Sequence, residues 1–309
     1  MAYRLHMSRT ALSSVDVVLE KLGEENYFAD RGLATSIFLA ATLERPLLLE
    51  GDAGVGKTEV AKVVAAITEG ELIRLQCYEG IDVSQALYEW NYTRQLLHLR
   101  TAEATGVAQQ ASSDELEDEL FTERFLIRRP LLQAIDHGRP APPVLLIDEI
   151  DRADDEFEAF LLEALSDYSV TVPELGAFRA EVPPIVIITS NRTRDVHDAL
   201  KRRALYHWVD HPDFEREVAI IERKAPEVPA ALARQVASAT QQFRDMGMYK
   251  PPGIAETLDW ANALHLLSEE SLTAESVDAT LGTLLKYRED QERARRAGIE
   301  SVIEIALGA

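Results

Sequence analysis

The sequence predicts an α/β protein with a parallel sheet followed by an all-helical region. Three observations carry this. Short apolar runs at Pro46–Leu49, Val144–Ile147 and Ile185–Ile188 read as strands buried on both faces. Helical periodicity fills the stretches between them, which implies parallel strands joined by crossovers. Beyond His211-Pro212 only helical spacing remains: Leu232, Val236, Ala239, Phe243 and Met246, then Val277, Leu281, Leu284 and Leu285. Two domains are expected, residues 1–212 and 213–309.

The elements follow in order. Val15, Val18, Leu19 and Leu22 share one helix face. A second helix is expected from Asp30 to Leu43, with Asp30 as its N-cap. The strand Pro46–Glu50 leads into a glycine-rich turn, a helix over Ala61–Ile67 and a strand at Leu72–Leu75. From Gln76 to about Arg129 no period dominates. That stretch holds an aromatic group (Tyr78, Tyr88, Trp90, Tyr92) and an acidic run, Asp114–Glu123, expected to be a solvated helix face. A helix is expected over Asp155–Tyr168, and Pro173, Gly176 and the β-branched residues of Ser169–Glu181 suggest a hairpin.

Composition excludes several classes. The 309 residues carry 32 basic and 53 acidic side chains, a net charge of −21, which disfavours a protein that coats nucleic acid or anionic membranes. One cysteine, Cys77, leaves no intramolecular disulfide and no cysteine-based zinc cage, and fits a reducing cytoplasm. Its expected role is a buried thiol. No apolar run approaches the ~18 residues of a membrane span. Met1–Val15 lacks the long apolar stretch of a leader, so a cytoplasmic location is expected.

The sharpest motif is Gly51-Asp52-Ala53-Gly54-Val55-Gly56-Lys57-Thr58, which matches G-x-x-x-x-G-K-[ST] between a predicted strand and a predicted helix. Glycines let the backbone turn its N–H groups inward as a cradle for phosphate oxygens, and the following helix adds its positive end. Lys57 is placed for the β- and γ-phosphates and Thr58 for Mg2+. A second site ends the strand Val144–Ile147: Asp148 is placed to support Mg2+, and Glu149 to polarise a water for attack on the γ-phosphate. No N-K-x-D guanine reader accompanies them, so ATP is the expected nucleotide.

The strand Ile185–Ile188 ends in Thr189-Ser190-Asn191. Asn191 would lie beside the Asp148 strand end, to hold the water or sense the γ-phosphate; taken alone it is an ordinary turn residue. Arg192, Arg194 and Lys201-Arg202-Arg203 form the densest basic patch. It is either a solvated face, a nucleic-acid patch, or the source of an arginine finger that stabilises transition-state charge in a neighbouring subunit.

Taken together, Gly51–Thr58, Leu146-Ile147-Asp148-Glu149-Ile150-Asp151-Arg152-Ala153, Asn191 and Leu200-Lys201-Arg202 resemble an AAA+ ATPase of the MoxR family. Leu75–Gly80, Tyr88–Tyr92, Leu165-Ser166-Asp167 and Leu205–Asp210 resemble the subgroup linked to carbon monoxide dehydrogenase maturation (CoxD-type). The resemblance covers nearly the whole chain. It implies an AAA+ P-loop core with an all-α lid, Lys57 and Thr58 on phosphates and Mg2+, Asp148 on Mg2+, Glu149 as base and Asn191 as first sensor. It also implies Arg202, with Arg203 a close rival, as the finger, and Arg152 at a subunit interface. Residues 77–100 would be a pore-facing insert.

The resemblance further implies a homo-oligomeric ring, expected hexameric, a partner with a von Willebrand A domain, and a client metalloenzyme such as a molybdenum hydroxylase awaiting its cofactor. Activation of another enzyme (rubisco or nitric oxide reductase type) and a DNA-acting motor are the alternatives. The chain departs from the family pattern at Asp151, often Asn, and at Lys201, often an acid. No second-sensor arginine is evident in Pro251-Pro252-Gly253-Ile254, where Lys250 is the available substitute.

Overall fold

The computed structural model describes residues 11–105 and 112–308. The first ten residues, part of the stretch read for a leader, lie outside them. Along the chain run α1 (Val15–Glu24), α2 (Arg31–Leu43), β1 (Leu47–Glu50), α3 (Lys57–Thr68), β2 (Leu72–Gln76), α4 (Val83–Ala86), β3 (Tyr88–Trp90), α5 (Tyr92–Thr105), α6 (Ser113–Leu120), β4 (Leu126–Arg128), α7 (Pro130–Ile135) and β5 (Val144–Asp148). Then come α8 (Asp155–Asp167), β6 (Ser169–Val172), β7 (Gly176–Arg179), β8 (Ile185–Ser190), α9 (Asp198–Arg203), β9 (Leu205–Trp208), and six helices: α10 (Phe214–Lys224), α11 (Ala230–Asp245), α12 (Ile254–Leu266), α13 (Ala274–Leu284), α14 (Arg288–Ala297) and α15 (Ile299–Leu307).

Five strands form one sheet in the order β2-β5-β8-β1-β9. The β2/β5 and β5/β8 ladders are parallel, with Gln76 opposite Asp148 and Ile147 opposite Ile188. The α/β class expected from the sequence is the one observed. All of β5 is buried, and so is β8 beyond its first residue, as befits central strands covered on both faces. One ordering matters for the site: β8, which leads to Asn191, lies between β1, which feeds the glycine-rich turn, and β5, which ends in the acids.

Three differences from the sequence reading have local causes. The helix expected from Ala61 begins at Lys57, because the glycine turn hands its last residues directly to the first helical turn. β3 and β4 pair antiparallel over three residues each, too short for any alternation to register. β9 adds an edge strand whose half-polar Leu-Tyr-His-Trp sequence gives no buried-strand signal. The hairpin of β6 and β7 forms as expected, from Ser169 paired with Arg179 to Val172 paired with Gly176. The acidic run is helical over Ser113–Leu120, with the side chains of residues 113–115 and 117 outside the described set.

The chain divides into two compact units. One runs through Val18, Arg31–Leu49 and Ala61–His207; the other takes Leu19–Asp30, Glu50–Val60 and the chain from Trp208 on. The first has a core of Leu48, Ile73, Leu145, Ile147, Val186 and Ile188 from the sheet, capped by Leu131, Leu132, Phe157 and Leu161. The second is centred on Phe243 and Trp260, both fully buried, with rings edge to face at 6.2 Å. The Trp260 indole N–H donates to the Thr280 hydroxyl at 2.7 Å, so burying its polar edge leaves no orphaned donor.

Candidate active site

The residues singled out in the sequence fall into two groups, one in each unit. In the second unit lies the turn Gly51–Thr58. Gly54 and Gly56 adopt φ of +83° and +95°, a region that side-chain-bearing residues rarely enter, and these two reversals curl the loop. Among the described residues, the N–H groups of Gly54, Val55 and Gly56 meet no acceptor within the chain. Successive unpaired N–H groups in such a turn are the raw material of an anion cradle. Lys57 is buried, and its ammonium donates to the carbonyls of Gly51 and Asp52 at 2.8 and 2.7 Å. These two carbonyls hold the cation at the glycine-rich turn. Thr58 sits in the first turn of α3.

Three further residues of that unit press on the loop. The Ile254 N–H donates to the Gly54 carbonyl at 2.9 Å, and a Cβ on Gly253 would come within 2.6 Å of the Gly54 Cα. His211 Nε2 lies 3.4 Å from the Asp52 carboxylate, at ion-pair distance without hydrogen-bond alignment. Burial lowers the His211 pKa, and the nearby Arg244 lowers it further; Asp52 opposes them. Its imidazole is therefore biased toward the neutral form.

The second group closes the C-terminal end of β5. Asp148 is buried; its Oδ1 accepts from the Thr189 hydroxyl at 2.6 Å and its Oδ2 from Arg74 at 2.5 and 3.1 Å. Glu149 stands in the left-handed region, φ 56° and ψ 51°, a conformation that costs a non-glycine residue about 1–3 kcal/mol and persists only where its surroundings enforce it. The enforcing contact is visible: the Glu149 N–H donates to the same Thr189 hydroxyl at 2.9 Å. The Glu149 carboxylate then receives Gln76 Nε2 at 3.1 Å, Arg152 at 3.3 Å and Asn191 Nδ2 at 3.4 Å.

Asn191 is itself placed by a buried acid. Asp151 Oδ1 accepts the Asn191 N–H at 3.1 Å, while Oδ2 accepts the Thr193 N–H and hydroxyl at 2.9 and 2.6 Å. A carboxylate with two oxygens serves three donors here. Behind it, fully buried Glu158 takes the His197 N–H at 2.8 Å and pairs with Arg194. Cys77 lies beneath this cluster, its N–H donating to the Asp148 carbonyl at 2.9 Å. Burial first, and then the charges of Asp148, Asp151, Glu158 and Glu149, push its thiol up to about 12, so it stays protonated and inert as a nucleophile.

The structure thus brings Asp148, Glu149 and Asn191 together, and keeps Arg202 and Arg203 out of that cluster. The two arginines differ. Both are exposed, but Arg203 donates to the Leu162 carbonyl at 2.8 Å and the Ser166 hydroxyl at 2.6 Å, whereas the Arg202 side chain makes no hydrogen bond or ion pair among the described residues. Arg74, Gln76 and Thr189 were not singled out in the sequence. The signal for the first two was a pair of polar residues in the otherwise apolar strand Leu72–Gln76; only the register opposite Asp148 gives it meaning.

A family model described as AAA domain (dynein-related subfamily) matches residues 46–204, just over half of the chain. The chain belongs to this AAA family. The matched segment opens just before the glycine-rich turn and closes just after Arg203. An uncharacterized protein of Staphylococcus haemolyticus is 24% identical over 289 residues, covering 91% of this chain and 96% of its own length. One from Staphylococcus aureus is 25% identical over 178 residues, 55% of this chain and 57% of that one. Among solved structures, the RuvB Holliday junction branch migration motor of Thermotoga maritima is similar at 15% identity and a TM-score of 0.46, over 93% of this chain and 86% of that chain. AAA ATPases bind nucleotide, typically with Mg2+, and commonly assemble as rings; membership therefore supports an ATPase-type function. Among the described residues no helix of this AAA chain is long and apolar enough to cross a membrane.

Proposed function

We propose that this chain is a Mg2+-dependent ATPase of the MoxR kind, nearest the CoxD-type subgroup, which works in a ring to remodel a client metalloenzyme. The observation that carries the ATPase reading is Glu149. A carboxylate held in a strained left-handed backbone, by a hydroxyl that also braces the adjacent Asp148, is not what an inert strand end requires.

In this reading Gly51, Asp52, Ala53, Gly54, Val55 and Gly56 wrap the phosphates with backbone N–H groups, and Lys57 supplies a fixed positive charge. The residues fit the ligand: the turn offers backbone donors without an acceptor of their own, with the buried ammonium held on the same turn. Mg2+, held by Thr58 and Asp148, would neutralise phosphate charge when bound. Glu149 takes the proton of the attacking water, and Asn191 orients that water beside the carboxylate it touches. Arg202 reaches a neighbouring protomer's nucleotide; Arg203, engaged on α8, serves its own fold. Residues 1–212 form the nucleotide-binding domain and 213–309 the lid. The subgroup strings favour an apo-molybdenum hydroxylase as client and a von Willebrand A domain protein as partner.

Glu149→Gln is the decisive variant. It keeps shape and hydrogen bonding but cannot accept a proton at pH 7. ATP binding is expected at wild-type affinity, with phosphate release down by about 10²-fold or more. Turnover at the wild-type rate would remove Glu149 from the chemistry. The same variant, locked with Mg·ATP, is the bait for clients; recovery of DNA or of an unrelated enzyme in place of a metalloenzyme would overturn the remodelling assignment.

A further inference from the structure

We propose that Arg45 is the positioning residue for Arg202: its guanidinium closes the carbonyl end of α9 and thereby aims the Arg202 side chain outward. The inference rests on the reading of Arg202 as a residue that acts on a neighbour's nucleotide.

α9 spans only Asp198–Arg203. Six residues are too few for a helix to hold its own ends, and its final carbonyls have no partner within the helix. Arg45 supplies one. Its Nε donates to the Arg203 carbonyl at 3.0 Å and its Nη2 to the Arg202 carbonyl at 2.9 Å, with the Ala204 carbonyl 3.5 Å from the same nitrogen. A planar fork suits neighbouring carbonyls, and a cation at a helix C-terminus meets its negative end.

Arg45 stands on a fixed base. Its own N–H donates to the Ala40 carbonyl at 3.1 Å, closing the end of α2. On one side the Tyr168 hydroxyl donates to the Glu44 carbonyl at 2.9 Å; on the other the Leu205 N–H donates to the Pro46 carbonyl at 2.8 Å. Arg203 holds α9 from the opposite side, through the Leu162 carbonyl and Ser166 hydroxyl of α8. Arg45, Arg202 and Arg203 line one cavity of about 380 Å³ together with Leu162 and Ser166. Two of the three guanidiniums are spent on the frame. The third, that of Arg202, has no partner among the described residues. A merely solvated arginine needs no such frame, because water satisfies it at any rotamer.

The test is phosphate release at saturating Mg·ATP for Arg45→Ala, Arg45→Lys, Arg202→Ala and the Arg45→Ala/Arg202→Ala double variant, each alone and mixed with the Glu149→Gln protein. Arg202→Ala should lose about 10³-fold or more. Arg45→Ala should lose about 10- to 100-fold in kcat, the cost of misplacing a reacting group by an ångström, with ATP affinity within about twofold. Arg45→Lys should recover only part, since an ammonium cannot bridge two carbonyls as a fork does. The double variant should fall no lower than Arg202→Ala. Mixing should restore part of the Arg45→Ala activity, because the Glu149→Gln subunits carry an intact Arg45 and Arg202.

Loss in Arg45→Ala that mixing does not restore, or a double variant lower than Arg202→Ala by the full Arg45 factor, overturns the inference and makes Arg45 a structural cap. Wild-type kcat in Arg45→Ala beside a deficient Arg202→Ala also overturns it, while leaving the finger standing. Wild-type turnover in Arg202→Ala overturns the finger reading itself and the inference with it. If Arg45→Ala does not fold, Arg45→Lys carries the same comparisons.

Discussion

Thr189→Val isolates one hydroxyl with almost no change of volume. That hydroxyl accepts from the Glu149 N–H at 2.9 Å and donates to Asp148 Oδ1 at 2.6 Å, and both Thr189 and Asp148 are buried. Removing it costs about 1 kcal/mol for the neutral bond and about 1.5–3 kcal/mol for the bond to the carboxylate, about 2.5–4 kcal/mol in all. For a domain of this size that lowers Tm by roughly 5–15 °C. A larger effect is expected on turnover. The strain of about 1–3 kcal/mol in Glu149 then has no brace, and its backbone relaxes away from φ 56°. Asp148 retains Arg74, so the two acids shift unequally. Phosphate release should fall about tenfold or more at a temperature where the variant is fully folded. Thr189→Ser keeps the hydroxyl and should stay within about threefold of wild type. The reasoning fails if Thr189→Val, still folded, turns over like wild type. It fails equally if Thr189→Ser falls as far as Thr189→Val, which would place the effect in the lost methyl.

Gly253→Ala sets a methyl 2.6 Å from the Gly54 Cα, although the Gly253 backbone itself (φ −84°) accepts any residue. Overpacking of this kind costs about 1–3 kcal/mol, so ATP affinity measured by titration should weaken by about 5- to 150-fold, with the rate at saturation less affected. The alkaline limit of stability should start near pH 9. Burial raises Cys77, Tyr27 and Tyr168 to about 12, so the folded chain keeps protons that the unfolded chain begins to release at about 9 for the thiol and about 10 for the phenols. Stability is full below those unfolded values and lost as pH rises toward 12. Urea midpoints should therefore fall from pH 9 upward, and Cys77→Ala should flatten the first part of that fall.

The site was legible in unequal parts. Gly51–Thr58 announced itself because a backbone cradle of the kind proposed needs glycine at fixed spacing, and β5 and β8 because buried strands must be apolar on both faces. Arg74 and Gln76 were hidden for a plain reason: their partners lie more than seventy residues away and meet them only through the β2/β5 register. The left-handed backbone of Glu149 was equally invisible, since no local residue demands it and a distant threonine enforces it. Adjacent Arg202 and Arg203 are indistinguishable by composition; the fold separates them by turning one onto α8. β3 and β9 escaped because strands of three or four residues gain their burial from neighbours rather than from their own pattern.

The charge of −21 sharpens what this arrangement has to accomplish. An acidic body repels an anionic nucleotide, so binding depends on where the negative charges are committed rather than on how many there are. Five buried acids are committed inward. Asp148 takes Arg74 and Thr189, Asp151 takes three donors of the Asn191 loop, Glu158 takes Arg194, Glu217 forms a two-armed pair with Arg244 at 2.6 and 2.7 Å, and Asp290 caps the N–H groups of Tyr249 and Lys250. Each carboxylate so paired contributes little outward field. Glu149 differs: its carboxylate is a third exposed and is held by weaker contacts of 3.1–3.4 Å, which suits the role of base proposed for it, a group that must exchange partners when substrate arrives. The positive counterparts divide in the same way. Arg74, Arg194 and Arg244 are consumed in pairing, and Arg45 and Arg203 in fixing α9, which leaves Arg202 as the guanidinium of that group free to meet a phosphate.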